Sequence, residues 1–259
     1  MIYVLIAVTS SIASFLTFFS GFGLGTILLP VFAIYYPLPI AVALTACVHL
    51  LNNLFKLSLV YKNINWPLIM RFGLPSMLAA FAGAYALSKI SGFNKGIFNY
   101  LLFNRQFVIT WPGLTIGILI ILFAIFELSK QLSAITFNKK YLFLGGLLSG
   151  FFGGFTGHQG ALRSAFLLRL NLDKTDFIAT GVFVACMVDV ARLSLYGNFS
   201  ILKHHETNYF LLAVAVLFAW AGAFAGNKLF KKTSVSFFRW FVGAFMLLMG
   251  ILISFGVVA

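Results

Sequence analysis

Ser149-Gly-Phe-Phe-Gly-Gly-Phe-Thr-Gly-His-Gln-Gly160 interrupts an apolar run with a cluster of glycines, and Ser20-Gly-Phe-Gly-Leu-Gly-Thr-Ile-Leu-Leu-Pro30 does the same near the N-terminus. Each cluster is followed by a further apolar segment that carries polar and cationic residues. These are His49, Asn52, Asn53 and Lys56 in the first half, and Asp189 and Arg192 in the second. A chain that repeats itself, with helices broken by glycine and charge close to the breaks, has the pattern of a membrane transporter.

Composition sets the class. Hydrophobic residues make up 61% of the 259 and charged residues 9%, against roughly 25% charged in soluble domains. The expected fold is therefore an all-α polytopic integral membrane protein. Its charged connectors are too short to build a separate domain, since a domain needs about 50 residues or more, so function must reside in the spans and short loops. The formal net charge of +13 is spread over the loops between spans, which suits lipid headgroups and topology setting rather than nucleic acid. Cys47 and Cys186 both fall inside apolar runs and read as packing residues, not a disulfide framework. The N-terminal Met-Ile-Tyr-Val-Leu lacks the positive flank of a signal peptide and reads as part of a first span.

Apolar segments fall at 1–20, 24–36, 39–61, 66–88, 107–128, 141–153, 158–170, 175–197, 207–228 and 237–257. Several have the roughly 20 residues of a crossing helix. Segments 24–36, 141–153 and 158–170 are short, as re-entrant or broken helices would be. The count is either eight full crossings with two broken ones or ten segments with short members. A shift of 136 positions lays Asn53 on Asp189 and Lys56 on Arg192, which divides one membrane domain into repeats 1–136 and 137–259.

If ten segments alternate sides, Lys62, Lys130, Lys139, Lys140, Arg169, Lys174, Lys228, Lys231, Lys232 and Arg239 share one face, and Lys89, Lys95, Arg105 and Lys203 the other. That asymmetry is the positive-inside pattern. Five segments per half is an odd number, so the halves are expected to be inverted and both termini extracytoplasmic. Trp66-Pro67 and Trp111-Pro112 read as interfacial anchors at helix starts.

The candidate site residues follow from the breaks. A helix start at a glycine break leaves backbone N–H groups without intrahelical partners, and these suit an anion. Gly21, Gly23, Gly25 and Thr26 would form one half-site, and Gly157, His158, Gln159 and Gly160 the other; close helix packing through small residues is the competing explanation. His49, Asn52, Asn53 and Lys56 share a helical face that could hold an oxyanion, unless Lys56 snorkels and the amides only join helices. Arg163 follows the second break by one turn and leans back toward it. Asp189 and Arg192 form either a self-neutralising pair or an anion site with Asp189 as proton-coupling group.

His204-His205-Glu206 lacks metal-site spacing. Without a Ser-His-Asp order, a Walker loop or a paired carboxylate in the membrane, nothing points to an enzyme, a cofactor or a metal.

The two glycine stretches, with the His49–Lys56 face and Gly157-His-Gln-Gly-Ala-Leu-Arg-Ser164, resemble the sulfite exporter TauE/SafE family of bacterial inner-membrane permeases over nearly the whole chain. The resemblance implies movement of sulfite, thiosulfate, organosulfonate or another small sulfur-containing anion. It extends to Gly21, Gly23, Gly25, Pro30, Gly157 and Gly160. The first break carries Gly23-Leu-Gly25-Thr26 where the family usually has a triple-glycine run. The roles of His49, Asn52, Asn53, Lys56, Arg163, Asp189 and Arg192 rest on their positions alone. The expected function is alternating access around two broken-helix half-sites. The alternative is a non-transporting membrane binding or assembly subunit with a basic cytoplasmic face. Expected partners are the sulfur anion and membrane lipids, with a homo-oligomer left open.

Overall fold

A computed structural model describes residues 1–20, 23–92, 96–102, 104–133, 135–198, 208–229 and 235–258. It contains ten principal helices. The first five are α1 (Ile2–Ser20), α2 (Leu24–Ala33), α3 (Leu38–Val60), α4 (Trp66–Ser91) and α5 (Trp111–Leu128). The others are α6 (Leu142–Thr156), α7 (Gly160–Leu167), α8 (Lys174–Asn198), α9 (Tyr209–Leu229) and α10 (Val235–Ser254). Among the described residues, five helices are long and apolar enough to cross a bilayer: Leu38–Asn63, Trp66–Ser91, Trp111–Leu128, Lys174–Tyr196 and Tyr209–Gly226. With the shorter apolar helices beside them, the chain is an all-α, multi-pass membrane protein.

Local sequence sets the helix starts. Asn65 accepts a hydrogen bond from the Leu68 N–H with Pro67 just inside the helix, and Thr110 accepts from Gly113 N–H with Pro112 in the same place. Each is an N-cap followed by a proline that forgoes no helical bond. The indoles of Trp66 and Trp111 are exposed at these starts, where membrane interfaces favour tryptophan. α4 accommodates one π-helical turn at Ile69–Gly73.

Two boundaries differ from expectation. Segment 107–128 does not begin as helix, because Gly96–Leu102 (β1) and Arg105–Thr110 (β2) form an antiparallel hairpin turning at Asn104, whose φ is 59°. Alternating aromatic and β-branched side chains favour this: Tyr100 stacks on Phe107 at 5.4 Å, and its hydroxyl donates to the Phe255 carbonyl at 2.7 Å. Segment 24–36 is helical only to Ala33, since the chain must leave the α region before Pro37.

The helices pack in matching pairs. α4 lies against α6 and α1 against α9; α4 meets α8 and α3 meets α9; α3 packs on α8 and α5 on α10. The α4–α6 contact is backbone to backbone. A β-carbon at Gly146, Gly150 or Gly154 would collide with the carbonyls of Phe72, Ser76 and Ala80 respectively. Small residues one turn apart thus let two helices touch along a stripe, so this part of the second glycine cluster serves packing.

The connections sort to two ends. Residues 33–39 surround a cavity with Thr110, Pro112, Val257 and Val258. Asn65, Arg71, Lys139, Leu170 and Leu172 surround another, and near it Asn63 donates to Asp176 at 3.2 Å. α1 and α2 both contribute to a third cavity, through Leu5, Ile12, Ile27 and Val31.

Candidate functional site

Both glycine breaks reach one cavity. Gly23, Gly25 and Thr26 from the first line it together with Gly157, His158, Gln159 and Gly160 from the second. His49 of α3, Arg163 of α7, Phe123 and Glu127 of α5, and Met246 of α10 complete most of the wall. The space is small, about 30 Å³, enough for very few waters.

The backbone at each break explains the shape. Gly23 precedes α2 with φ 119°, and Gly157 ends α6 with φ 84°, conformations that L side chains adopt only at a cost of about 1–2 kcal/mol. Gly157 also has no lateral room, since a β-carbon there would stand 2.7 Å from Arg192 Nη1. Thr26 closes the first break by donating its hydroxyl to the Gly23 carbonyl at 2.6 Å. In the second, Ser149 donates to the Gln159 carbonyl at 3.1 Å, which ties the start of α7 to the body of α6.

Several polar groups around the cavity are buried with unmet hydrogen-bonding capacity. Gln159 is 2% exposed, and neither atom of its amide has a partner among the described residues. His158 lies 3.1 Å through Nδ1 from the Thr156 carbonyl and stacks on Phe123 at 5.7 Å, while its Nε2 has no partner there. Arg192 Nη1, beside Gly157, is a further unmatched donor. Each such group costs about 1–3 kcal/mol when buried alone, and buried polar atoms of this kind call for a ligand or ordered water.

Behind the cavity lies a charge cluster joining α3 to α8. Asp189 is fully buried, and both of its oxygens are engaged. Oδ2 is 2.6 Å from His49 Nδ1, and Oδ1 accepts from Arg192 Nε at 2.9 Å and lies 2.7 Å from Nη2. Asn53 places its amide 3.1 Å from the His49 ring, and Tyr196 donates to the Gly154 carbonyl.

Asn52 and Lys56 are buried and bonded to one another. Ser14 is 2.9 Å from Asn52, whose side-chain oxygen accepts from Lys56 Nζ at 3.3 Å while its nitrogen donates to the Ala219 carbonyl at 3.2 Å. Lys56 is 5% exposed, so it is held inside the bundle rather than snorkelling to an interface.

Of the residues singled out by sequence, Gly23, Gly25, Thr26, His49, Gly157, His158, Gln159, Gly160 and Arg163 line the cavity. Asn52, Asn53, Lys56, Asp189 and Arg192 are not among its lining residues, and Gly21 lies outside the described residues, as do His204, His205 and Glu206. Sequence reading overlooked Glu127, Phe123 and Met246. Only Glu127 had left a signal, as the lone carboxylate in an otherwise apolar helix.

The family model described as Sulfite exporter TauE/SafE matches residues 6–253. No curated protein matches the chain, and no solved structure does. Since the match runs from the first helix to the last and takes in both breaks, the chain belongs to the sulfite exporter TauE/SafE family.

Proposed function

We propose that this protein is a permease for a small sulfur oxyanion or organosulfonate, bound where the two glycine breaks meet. The observation that carries the reading is the buried cavity shared by both breaks, with the unmatched amide of Gln159 in its wall and Arg163 beside it. Arg163 supplies charge and paired donors. Gln159 supplies a neutral donor, and the N-terminal turns of α2 and α7 supply backbone N–H groups. Arg192 reinforces the site from behind Gly157, its own charge balanced by Asp189.

Transport proceeds by alternating access. The cavity, at about 30 Å³, is too tight for an oxyanion of four or more heavy atoms, so binding widens it. The paired packing of α1–α5 with α6–α10 supports two related halves, 1–136 and 137–259. Exchange of the two sets turns α4–α6 into α1–α9, α4–α8 into α3–α9 and α1–α2 into α6–α7, and leaves α3–α8 and α5–α10 unchanged. Inverted repeats of this kind rock about a central site. The lysine-rich connectors face the cytoplasm in this reading, the membrane is the bacterial inner membrane, and both termini are extracytoplasmic. A negative-inside potential favours exit of an anion by roughly 2.3 kcal/mol per charge at 100 mV.

The test is a thermal-shift screen of detergent-purified protein against sulfite, thiosulfate, sulfate, sulfoacetate, taurine, phosphate and chloride, repeated with Arg163→Gln. A ligand that binds the folded state raises its melting temperature by mass action. Stabilisation by a sulfur anion, lost in the variant, is expected. Equal stabilisation of the variant would remove Arg163 from the site, and no shift with any sulfur anion would overturn the substrate class.

A further inference from the structure

A second cavity with charged walls lies away from the glycine breaks, at the end of the bundle where α4 and α6 begin. Its volume is about 240 Å³, against about 30 Å³ for the central space, and the two share no lining residue. Arg71 of α4 and Lys139, just ahead of α6, give it two cations, and no carboxylate lines it. Both residues are exposed, and neither side chain enters an ion pair among the described residues. By contrast, the neighbouring Lys140 lies over the Tyr141 ring at 4.8 Å.

Apolar side chains make up most of the remaining wall. Pro67 and Leu68 come from the first turn of α4 and Leu142 from the start of α6. Leu170 and Leu172 stand on either side of Asn171, whose φ of 51° turns the chain between α7 and α8. Leu68 and Leu142 also belong to a packed cluster with Phe72, Phe166 and Leu167, so the cavity is backed by core rather than by a polar passage. An inorganic anion gains nothing from such walls, whereas an amphiphile gains by burying apolar surface on them.

The position of Arg71 points the same way. It lies five residues after Trp66, whose exposed indole marks the headgroup level. At about 1.5 Å per residue that is roughly 7 Å farther along the helix. Met70 and Leu74 beside it are exposed apolar residues, as on a surface that meets lipid. An arginine there is costly unless a counter-charge meets it. Helical side chains lean toward the N-terminus, which for α4 is the Trp66 end, so the guanidinium returns to headgroup level. Arg71 also lies within the π-helical turn at Ile69–Gly73, a local widening of a kind frequent at functional sites.

We propose that this cavity binds one anionic phospholipid. Its phosphate sits between Arg71 and Lys139, the first a fork of paired donors and the second a compact point charge. Its glycerol and upper acyl carbons lie on the leucine wall, and the tails run out along the exposed side of α4. The lipid thereby joins α4 to α6 and to the connection between α7 and α8, reinforcing the glycine-lined α4–α6 contact at its end. The site requires only that the chain spans a membrane, whichever anion it carries.

The experiment is native mass spectrometry of the full-length protein in detergent, titrated with phosphatidylglycerol or with phosphatidylcholine, and with phosphatidylglycerol in the presence of excess inorganic phosphate. The proteins are wild type, Arg71→Gln, Lys139→Gln, the double variant and Lys62→Gln. Lys62 is exposed at the same end but does not line the cavity, so its variant lowers the general positive charge alone. Wild type is expected to retain one phosphatidylglycerol in preference to phosphatidylcholine, and inorganic phosphate should not strip it. Each cavity variant should weaken that binding about fivefold, and Lys62→Gln should keep it.

Equal retention of the two lipids by wild type would overturn the proposal, as would a double variant that binds like wild type. Equal weakening in Lys62→Gln and the cavity variants would assign the effect to diffuse charge and overturn the site. Displacement by inorganic phosphate would make the ligand a free phosphate and overturn the lipid. Should the double variant fail to fold, the single variants and the wild-type preference between the two lipids decide the matter by the same criteria.

Discussion

Replacing Gly157 by alanine perturbs the second break at one atom. The residue has φ 84°, and a β-carbon would lie 2.7 Å from Arg192 Nη1, where an ordinary contact is no closer than 3.4 Å. The left-handed backbone costs alanine about 1–2 kcal/mol. Arg192 must also retreat by about 0.7 Å while held by Asp189 at 2.7 and 2.9 Å, and overpacking of this kind costs about 1–3 kcal/mol. The combined loss is about 2–5 kcal/mol. At about 2–4 °C per kcal/mol for a chain of this size, melting in detergent should fall by roughly 4–20 °C. Anion stabilisation in the thermal-shift assay should fall with it, because the guanidinium behind the break moves. Gly25→Ala is the control: its β-carbon would rest 3.6 Å from Thr45 Cγ2, an ordinary contact, so its melting should change little. A Gly157→Ala protein that melts and binds like wild type would refute both the left-handed turn and the placement of Arg192 against it.

Further expectations follow from the same geometry. Asp189→Asn leaves Arg192 and His49 without their shared counter-charge and should cost about 3–5 kcal/mol. Part of that loss should return in Asp189→Asn with Arg192→Gln, as a double-mutant cycle on chemical or thermal unfolding would read. Gln159→Leu removes an amide with no partner among the described residues, so melting without ligand should hold or rise while sulfur-anion affinity weakens about tenfold, or about 1.4 kcal/mol; unchanged affinity would exclude the amide from the site. Gly150→Leu, whose side chain would drive into the Ser76 carbonyl, should separate α4 from α6 and lower both melting temperature and folded yield.

Much of this was legible in the chain. Ten apolar stretches give ten helices because a segment in lipid must satisfy its own backbone, and helix is the local way to do so. Both breaks were visible because clustered glycine is costly inside a helix and marks where one ends. The hairpin at 96–110 was hidden inside an apolar run, since hydropathy does not distinguish strand from helix over six or seven residues. Glu127 was passed over for a related reason: in one dimension it is a solitary acid at the end of a span, far in sequence from both glycine breaks.

Residue type alone therefore determined the class and the apolar helices, which depend on interactions within a few turns of the chain. The tertiary structure decided which polar residues share a space. It set His49 beside Asp189 across 140 positions, joined Asn52 to Ser14 and Lys56, gave the Gly146, Gly150 and Gly154 stripe to packing, and put Glu127 and Arg163 in one cavity wall. Such groupings depend on how rigid helices cross, and periodicity within one helix carries no record of which face of another it will meet.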